Sequence, residues 1–255
     1  MRHSSKVRPA ALLLVAIGVL LLLPAVVFAQ AKPVPPQQMS VNVNGVGTVS
    51  APLQIVVLMT LLTFVPAALV MMTSFTRIAI VFHFLRQALG TQEAPSNQIL
   101  IGLALFLSFF VMNPTLTAMY KNAYEPWSKG EIDQSEAFDR GAAPLKQFML
   151  KSTREKDLQL FVELSGGPKP KGPDDLPMRT VMPAFMISEI KTAFQIGFVL
   201  FLPFLVIDMV VSSVLLSMGM MQLPPVMVSL PFKVLLFIMV DGWNLVISSL
   251  VKSYA

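Results

Sequence analysis

Long apolar segments that carry very little charge restrict this chain to folds that water does not fully surround. The segment Met182–Ser217 is longer than one membrane crossing requires, and Pro203 inside it is predicted to kink the helix. Three further apolar segments are predicted to be helical: Leu53–Met72, Gln98–Met119 and Val226–Val251. Only 13% of the residues are charged and 55% are hydrophobic, whereas an ordinary soluble domain carries roughly a quarter charged residues. We therefore expect an all-α, membrane-associated protein built from helical hairpins.

The N-terminus has the three parts of a secretory signal peptide. A basic stretch, MRHSSKVRP, precedes the apolar stretch AALLLVAIGVLLLLPAVV, and small residues follow at the spacing that a signal peptidase requires. We expect residues 1–29 to be a signal peptide, cleaved after Ala29 or Ala31. The alternative is an uncleaved first span, because Ala10–Phe28 is nearly long enough to cross a bilayer. In either case residues 30–52 form a linker that begins outside the cytoplasm.

The remaining chain is predicted to contain two helical hairpins separated by a polar region. Residues 53–119 form the first hairpin, residues 120–181 a mostly helical extracytoplasmic region, and residues 182–255 the second hairpin. Apolar residues recur at helical spacing between Ser135 and Glu163, which predicts amphipathic helices there. Basic residues in the short loop of the first hairpin mark that loop as cytoplasmic. The polar region is therefore predicted to be periplasmic.

The composition argues against enzymes, metal sites and nucleic-acid binding. Cysteine is absent, and His83 is the sole histidine after signal removal; one histidine without cysteine cannot form the usual zinc site. The sequence also lacks a glycine-rich phosphate loop and a G-x-S-x-G motif. The net charge is +5, and Arg2, Lys6 and Arg8 in the signal supply three of those charges. We therefore expect no enzyme, cofactor, metal or nucleic-acid partner, and we expect His83 to be packed or interfacial.

Ionisable side chains inside the apolar segments are candidate functional residues, because a charge there is costly and faces protein or water. They are Arg77, Glu189, Lys191, Asp208, Lys233 and Asp241. In an antiparallel hairpin that turns near Gln222, Asp208 and Lys233 differ in depth by about one turn at ~1.5 Å per residue, so they can pair within one chain. Glu189 lies much farther from the turn and would more easily meet a charge on another chain. Lys191 either forms an ion pair as well or lies at the water-exposed end of its helix.

The stretch GMMQLPP, which begins at Gly219, suits neither a buried helix nor an ordinary turn. Pro224 and Pro225 are predicted to stiffen its exit and to stop the next helix from absorbing it. Methionine is unbranched and polarizable, and it adapts to irregular surfaces. From the residues alone, the favoured interpretation is that Met220 and Met221 fill a crowded hairpin turn.

Small residues in the third apolar segment are spaced for close helix contacts. Ala193 and Gly197 have the small-xxx-small spacing, and Ser213 and Ser217 repeat it. This spacing is common by chance. It is consistent with a tightly packed oligomer.

Two stretches are more specific than any argument from composition. PAFMISEIKTAFQIGF (Pro183–Phe198) and PFKVLLFIMVDGW (Pro231–Trp243) resemble signature segments of the FliP family, which belongs to the export apparatus of the flagellar type III secretion system. The order of parts is similar as well: a signal sequence, two apolar segments, an extracytoplasmic insertion and a hairpin that ends in D-G-W. The resemblance covers Leu53–Tyr254. Injectisome counterparts are similar but usually shorter and lack a cleaved signal, so the N-terminus favours the flagellar branch.

The resemblance implies a pore or gate subunit in the bacterial inner membrane at the flagellar basal body. Several copies would form a ring with FliQ and FliR, with FlhB as a further partner. The ring would pass unfolded flagellar proteins, with energy supplied elsewhere. The alternatives are an injectisome export-gate subunit, a scaffold without a conducting path, or a small-solute secondary transporter. Transporters usually show a repeat and a polar site near the midplane, and neither is visible in the sequence.

The resemblance also assigns roles to individual residues. The loop after Gly219 resembles a methionine gasket at the constriction of the export channel, formed by Met220 and Met221 with Met218 nearby. Gln222 departs from the run of three methionines that is typical of flagellar members, which implies either a less tight seal or a partner subunit that completes it. Glu189 and Lys233 match the positions that hold ring subunits together in the family. Lys233 thus has two candidate partners, Glu189 and Asp208.

Overall fold

A computed structural model of the chain describes residues 51–91, 94–166, 172, 175–220 and 222–254. The predicted signal peptide, with Ala29 and Ala31, and most of the predicted linker lie outside these residues. The chain divides into two units, residues 1–62 and residues 63–255. The contacts discussed below all lie within the second unit.

The described residues form α-helices and contain no strand, which confirms the all-α prediction for this part of the chain. The helices are α1 Ala51–Met72, α2 Phe75–Leu89, α3 Asn97–Met119, α4 Glu125–Ser128, α5 Gln134–Ser152, α6 Glu155–Leu164, α7 Met178–Ser217, α8 Pro225–Met239 and α9 Gly242–Lys252. A π-helical turn, Tyr120–Tyr124, joins α3 to α4. The predicted amphipathic helices of the polar region correspond to α5 and α6.

Helices that are long and apolar enough to cross a membrane occur twice in the described part of the chain. They are Asn97–Ser128, which is α3 with its continuation, and the 40-residue α7. Helices α8 and α9 meet at an angle of 64° and make a third crossing if the bent pair acts as one span. All four predicted apolar segments are helical, and both α1 and α7 continue through their internal prolines, Pro66 and Pro203.

Helix α2 lies at the centre of the packing and contacts α3, α7 and α8. Its buried apolar side chains recur three and four residues apart, as a helix with one core face requires; they are Ile78, Val81, Phe82, Leu85, Ala88 and Leu89. Gly90 ends the helix in the left-handed conformation (φ 75°), and its N–H donates to the carbonyl of Gln87 at 3.0 Å. This cap fixes the end of α2. That end lies beside the second hairpin, since Val226 and Lys233 are the nearest neighbours of a Cβ added at Gly90.

The small-residue motif of α7 provides close contact between α2 and α7 inside one chain. Ala193 is fully buried, and a Cβ added at Gly197 would lie 2.5 Å from Cδ2 of Phe84 on α2. The Phe84 ring is also held edge-on by Phe194 and Phe201 of α7. A side chain at position 197 would therefore have to displace a ring that is already packed.

We expect Gly197→Ala to destabilise the chain by about 1–3 kcal/mol, because it overpacks this contact. Gly102→Ala on α3 is the matched control, since no atom lies within 4 Å of its added Cβ. The unfolding midpoint in detergent should fall only for Gly197→Ala, and Phe84→Leu in the same chain should recover part of the loss. Equal midpoints for the two glycine variants would contradict the close contact.

The D-G-W sequence forms the corner between α8 and α9. Asp241 adopts the left-handed conformation (φ 51°, ψ 52°), which aspartate tolerates better than most residues. A Cβ at Gly242 would lie 2.2 Å from the Phe237 ring, so only glycine fits the closed corner. Trp243 packs edge-on against Phe237 (5.5 Å between ring centroids) and Phe82 (6.4 Å). The corner is therefore attached to α2.

Helices α5 and α6 cover the N-terminal part of α7 and form a second apolar cluster with it. Its buried members are Met149, Leu176, Val181 and Phe185. Phe138 belongs to the predicted apolar pattern of this region, yet 77% of its surface is exposed. Amphipathic spacing thus predicts the α5 helix correctly, but it does not predict that the first turns of α5 remain uncovered.

Candidate functional site

The loop between α7 and α8 has a defined backbone. Gly219 is in the left-handed conformation (φ 73°), and its N–H donates to the carbonyl of Leu216 at 3.1 Å. The N–H of Met220 reaches back to the carbonyl of Leu215 at 3.0 Å, which completes a common C-terminal helix cap. Pro225 is the first residue of α8 and is preceded by extended Pro224. Glycine and proline therefore fix where the loop begins and ends.

The loop side chains that the structure describes are exposed. Met218 is 65% exposed and Met220 is 39% exposed, and Gln222 is exposed as well. Met221 lies outside the described residues. The structure therefore brings Met218, Met220 and Gln222 together on one exposed loop, and their role as a gasket stays a prediction.

An apolar groove of about 610 Å³ lies directly beside the loop, between α7 and α8. Its lining is entirely hydrophobic and includes Val210, Val214, Leu215, Met218, Met220 and Phe232. Met218 and Met220 are among the residues that line the groove, and methionine suits an irregular apolar surface because it is unbranched and has three rotatable bonds.

A buried lysine anchors the second hairpin to α2. Lys233 Nζ lies 2.7 Å from Asp208 Oδ2 on α7 and donates to the carbonyl of Ala88 at 3.1 Å. The hydroxyl of Ser229 donates to the other oxygen of Asp208 at 2.6 Å. Lys233 and Ser229 are buried, whereas the Asp208 side chain is about one-third exposed.

The position of Lys233 has a clear electrostatic reason. The carbonyl of Ala88 belongs to the last turn of α2, where helix carbonyls lack an intrahelical donor and carry partial negative charge. The ammonium group satisfies this carbonyl and the Asp208 carboxylate together. One side chain therefore joins α2, α7 and α8 near the base of the methionine loop.

A second buried ion pair lies at the other end of α2. Arg77 Nε donates to Glu189 Oε2 at 3.0 Å, and Arg77 Nη2 bonds the other carboxylate oxygen, which makes the pair bidentate. Glu189 is fully buried and Arg77 is 3% exposed. The hydroxyl of Tyr254 also donates to Glu189, and Arg77 Nη1 donates to Ser253 Oγ at 2.8 Å.

The aromatic ring of Tyr254 completes this polar site. The Arg77 guanidinium carbon lies 3.9 Å from the ring centroid, within cation–π range. Burial and the neighbouring Glu189 carboxylate raise the pKa of Tyr254, so its hydroxyl keeps the proton that it donates. Sequence reasoning missed Tyr254 and Ser253. The one available signal was a polar S-Y pair that follows directly on an amphipathic helix.

The N-terminal half of α7 carries a polar face that contacts α6. Lys191 forms an ion pair with Asp157, which is nearly fully buried. The backbone N–H of Arg154 donates to Ser188 Oγ at 2.9 Å, and its guanidinium donates to Thr192 at 3.2 Å and to Gln195. Lys191 combines the two possibilities, since it is paired with Asp157 and its own side chain is 52% exposed.

Glu189 and Lys233 have different partners inside the chain. Glu189 binds Arg77, and Lys233 binds Asp208. A contact between Glu189 of one copy and Lys233 of another stays a prediction from the resemblance. The sequence predicts that His83 is packed or interfacial; it lies on the exposed side of α2, opposite the buried face, so within this chain it is not packed. Its interfacial role stays a prediction.

Comparisons with known proteins extend the argument to the whole chain. Residues 58–250 match the model of the FliP family. The chain belongs to the FliP family. The flagellar biosynthetic protein FliP of Pectobacterium carotovorum subsp. carotovorum is 53% identical over 94% of the chain and 91% of its own length. FliP of Bacillus subtilis is 53% identical over 81% and 93%, and FliP of Aquifex aeolicus is 45% identical over 94% and 98%. The similarity therefore includes both hairpins and the polar region between them.

Proposed function

We propose that the chain is a pore subunit of the flagellar type III export apparatus, which passes unfolded flagellar proteins across the inner membrane. Membership of the FliP family supports a flagellar role. The observation that carries the pore role is the exposed methionine loop between the 40-residue apolar helix α7 and the 15-residue apolar helix α8. Energy for transport comes from other components.

In the proposed assembly, several copies form a ring with FliQ, FliR and FlhB, and the loops of the copies meet at its centre. Methionine side chains close the constriction at rest and yield around a substrate of any sequence, because they are unbranched and polarizable. Gly219, Pro224 and Pro225 hold the loop backbone while the side chains move. Gln222 places a polar amide beside the thioethers, so a partner subunit completes the seal at that position.

The proposed organisation along the chain follows from export of the N-terminus. Residues 1–29 are a signal peptide cleaved after Ala29 or Ala31, and residues 30–52 are a periplasmic linker. Residues 53–119 and 182–255 form the two membrane-associated hairpins. Residues 120–181, which include α5 and α6, form the periplasmic region. The polar contacts between α6 and α7 support a location of that end of α7 outside the apolar phase.

Deletion of the gene tests the proposed function. The culture medium is assayed for secreted hook and filament proteins, and complementation with the intact gene controls for effects on neighbouring genes. We expect these proteins to be made inside the cell and to disappear from the medium. Filaments that still assemble in the deletion strain would overturn the flagellar assignment.

We expect Met220→Ala combined with Met221→Ala to make cells leak ions through the assembled apparatus, because alanine cannot fill a constriction that methionine closes. A potential-sensitive dye should report depolarisation of the membrane, while the amount of assembled complex stays unchanged. Met227→Ala is the matched control, since Met227 is 73% exposed but lies on α8 beyond the loop. Cells of this double variant that assemble a normal amount of the complex and do not leak ions would contradict the gasket.

A further inference from the structure

Among the ionisable residues that the sequence places in apolar segments, Asp241 differs from the others in the described part of the chain, because it has no partner there. Arg77 pairs with Glu189, Lys191 with Asp157, and Lys233 with Asp208. Asp241 is the remaining member of the set, and its carboxylate makes no hydrogen bond or ion pair within the residues that the structure describes. An unpaired charge in an apolar segment is costly unless protein or water meets it.

The surroundings of Asp241 are apolar and uncovered. The left-handed conformation of this residue and the closed corner at Gly242 direct its exposed side chain away from the core. The exposed hydrophobic side chains beside it are Ile238 (68%), Met239 (76%), Val240 (47%) and Leu245 (59%). Exposed apolar side chains that adjoin one another in this way mark an interaction surface, and the Asp241 carboxylate that lies among them in the sequence needs a polar partner when that surface is covered.

A matching cation lies on α2. Arg86 is partly exposed, and its guanidinium has no hydrogen-bond or ion-pair partner in the described part of the chain. Its helix neighbours His83 and Gln87 are exposed on the same side. This face is opposite the buried stripe of α2, so it is free to meet another molecule.

Arg86 and Asp241 lie in the same layer of the molecule. Helix α2 runs antiparallel to α8, since Ala88 contacts Lys233 and Phe82 contacts Trp243. Arg86 lies between Phe82 and Ala88, and Asp241 lies between Lys233 and Trp243. Both charges therefore lie within one interval of six α2 residues, about 9 Å along the helix, which a long arginine side chain can span. Lys252, another exposed cation, lies at the far end of α9, beyond the bend and close to Tyr254.

We propose that Asp241 of one copy binds Arg86 of the neighbouring copy, with the apolar patch around Asp241 buried at the contact between copies. The proposal rests on the ring suggested under the proposed function. Copies in a membrane ring are related by rotation about the membrane normal, which keeps each residue at its own depth. Two different surfaces at one depth then form the head-to-tail contact that closes a ring. The occupant of the patch is thus a second copy of this chain.

Cross-linking tests the contact while both charges remain in place. One tagged copy carries Gln87→Cys, beside Arg86, and a differently tagged copy carries Val240→Cys, beside Asp241. The chain itself contains no cysteine, so a product of a short bis-maleimide that carries both tags joins position 87 of one copy to position 240 of another. The copies are co-expressed with the partner subunits, and the complex is purified in detergent. We expect a covalent dimer, and we expect Lys252→Cys in place of Val240→Cys to give none.

Neutral variants test whether assembly depends on the charges of Asp241 and Arg86 or only on the two surfaces being close together. Asp241→Asn keeps a residue that tolerates the left-handed conformation, and Arg86→Gln keeps a polar side chain. Each is expected to lower the yield of assembled complex at least about tenfold, as loss of one partner of a desolvated interface pair does. Asp241→Arg strains the left-handed backbone at this position, so the charge exchange is compared with Asp241→Arg alone. Asp241→Arg with Arg86→Glu should raise the yield several-fold above that of Asp241→Arg, whereas Asp241→Arg with His83→Glu should not.

Native mass measurement of the same purified complex separates the two proposals. A multi-chain complex without the covalent dimer overturns the Asp241–Arg86 contact and leaves the pore function standing. A multi-chain complex that forms the dimer, and is lost in Asp241→Asn, supports the contact. A chain that remains monomeric in the presence of its partner subunits overturns both the ring and the contact.

Discussion

Glu189→Ala is expected to destabilise the chain by ~3–5 kcal/mol, because Arg77 would remain charged in a site that water does not reach. The variant removes both acceptor oxygens that the guanidinium uses and also the acceptor of Tyr254. Folded protein in the membrane fraction should fall sharply, and the unfolding midpoint of the remainder should drop. The measurement is thermal unfolding of the detergent-purified chain, together with its level in membranes.

Two controls test whether Glu189→Ala destabilises the chain because the buried Arg77 charge is left unpaired or because side-chain contacts are lost. Arg77→Met with Glu189→Met removes both charges, and replacement of a buried pair by apolar residues is often neutral, so most of the lost stability should return. Glu136→Ala breaks an exposed pair with Arg140 and should change stability by less than ~0.5 kcal/mol. A double variant as unstable as Glu189→Ala would show that the pair is not the cause.

Lys233→Met is expected to cost about 2–4 kcal/mol, because it leaves the Asp208 carboxylate and the Ala88 carbonyl without their donor. The loss should be smaller than for Glu189→Ala, since the Asp208 side chain is about one-third exposed and water solvates it in part. Secretion should fall further than stability alone predicts, because the anchored hairpin carries the methionine loop.

Lys233→Met with Asp208→Asn is the matched control for the anchor. It removes the unmatched carboxylate but leaves the Ala88 carbonyl without a donor, so stability should return only in part. The readouts are the unfolding midpoint and the ratio of secreted to intracellular filament protein. Wild-type secretion by Lys233→Met at normal protein level would contradict a role of the anchor in the loop.

The helical architecture could be predicted from the sequence because it depends on local patterns. Apolar length marks α3 and α7, and periodic spacing marks α5 and α6. The depth estimate for Asp208 and Lys233 needed only the helical rise and one turn position. The bend between α8 and α9 was not predicted, because it depends on the closed packing of Gly242 against Phe237.

Partners that are distant in the sequence could not be predicted in the same way. Arg77 is visible as a misplaced charge, but no periodicity shows that its carboxylate lies 112 residues away. The contribution of Tyr254 depends on where the C-terminal end of α9 lies relative to α2, which is a property of the tertiary fold. The exposed side of His83 likewise follows from which face of α2 the other helices cover.

The long separation between Arg77 and Glu189 has a consequence for biogenesis. Helix α2 leaves the ribosome long before α7 is translated, so its guanidinium has no anion at that time. With 15 residues it is also shorter than the roughly 20 that a bilayer crossing needs. An unpaired Arg77 therefore makes burial of α2 costly when the helix is made. We expect α2 to reach its buried position only after α7 supplies the Glu189 carboxylate.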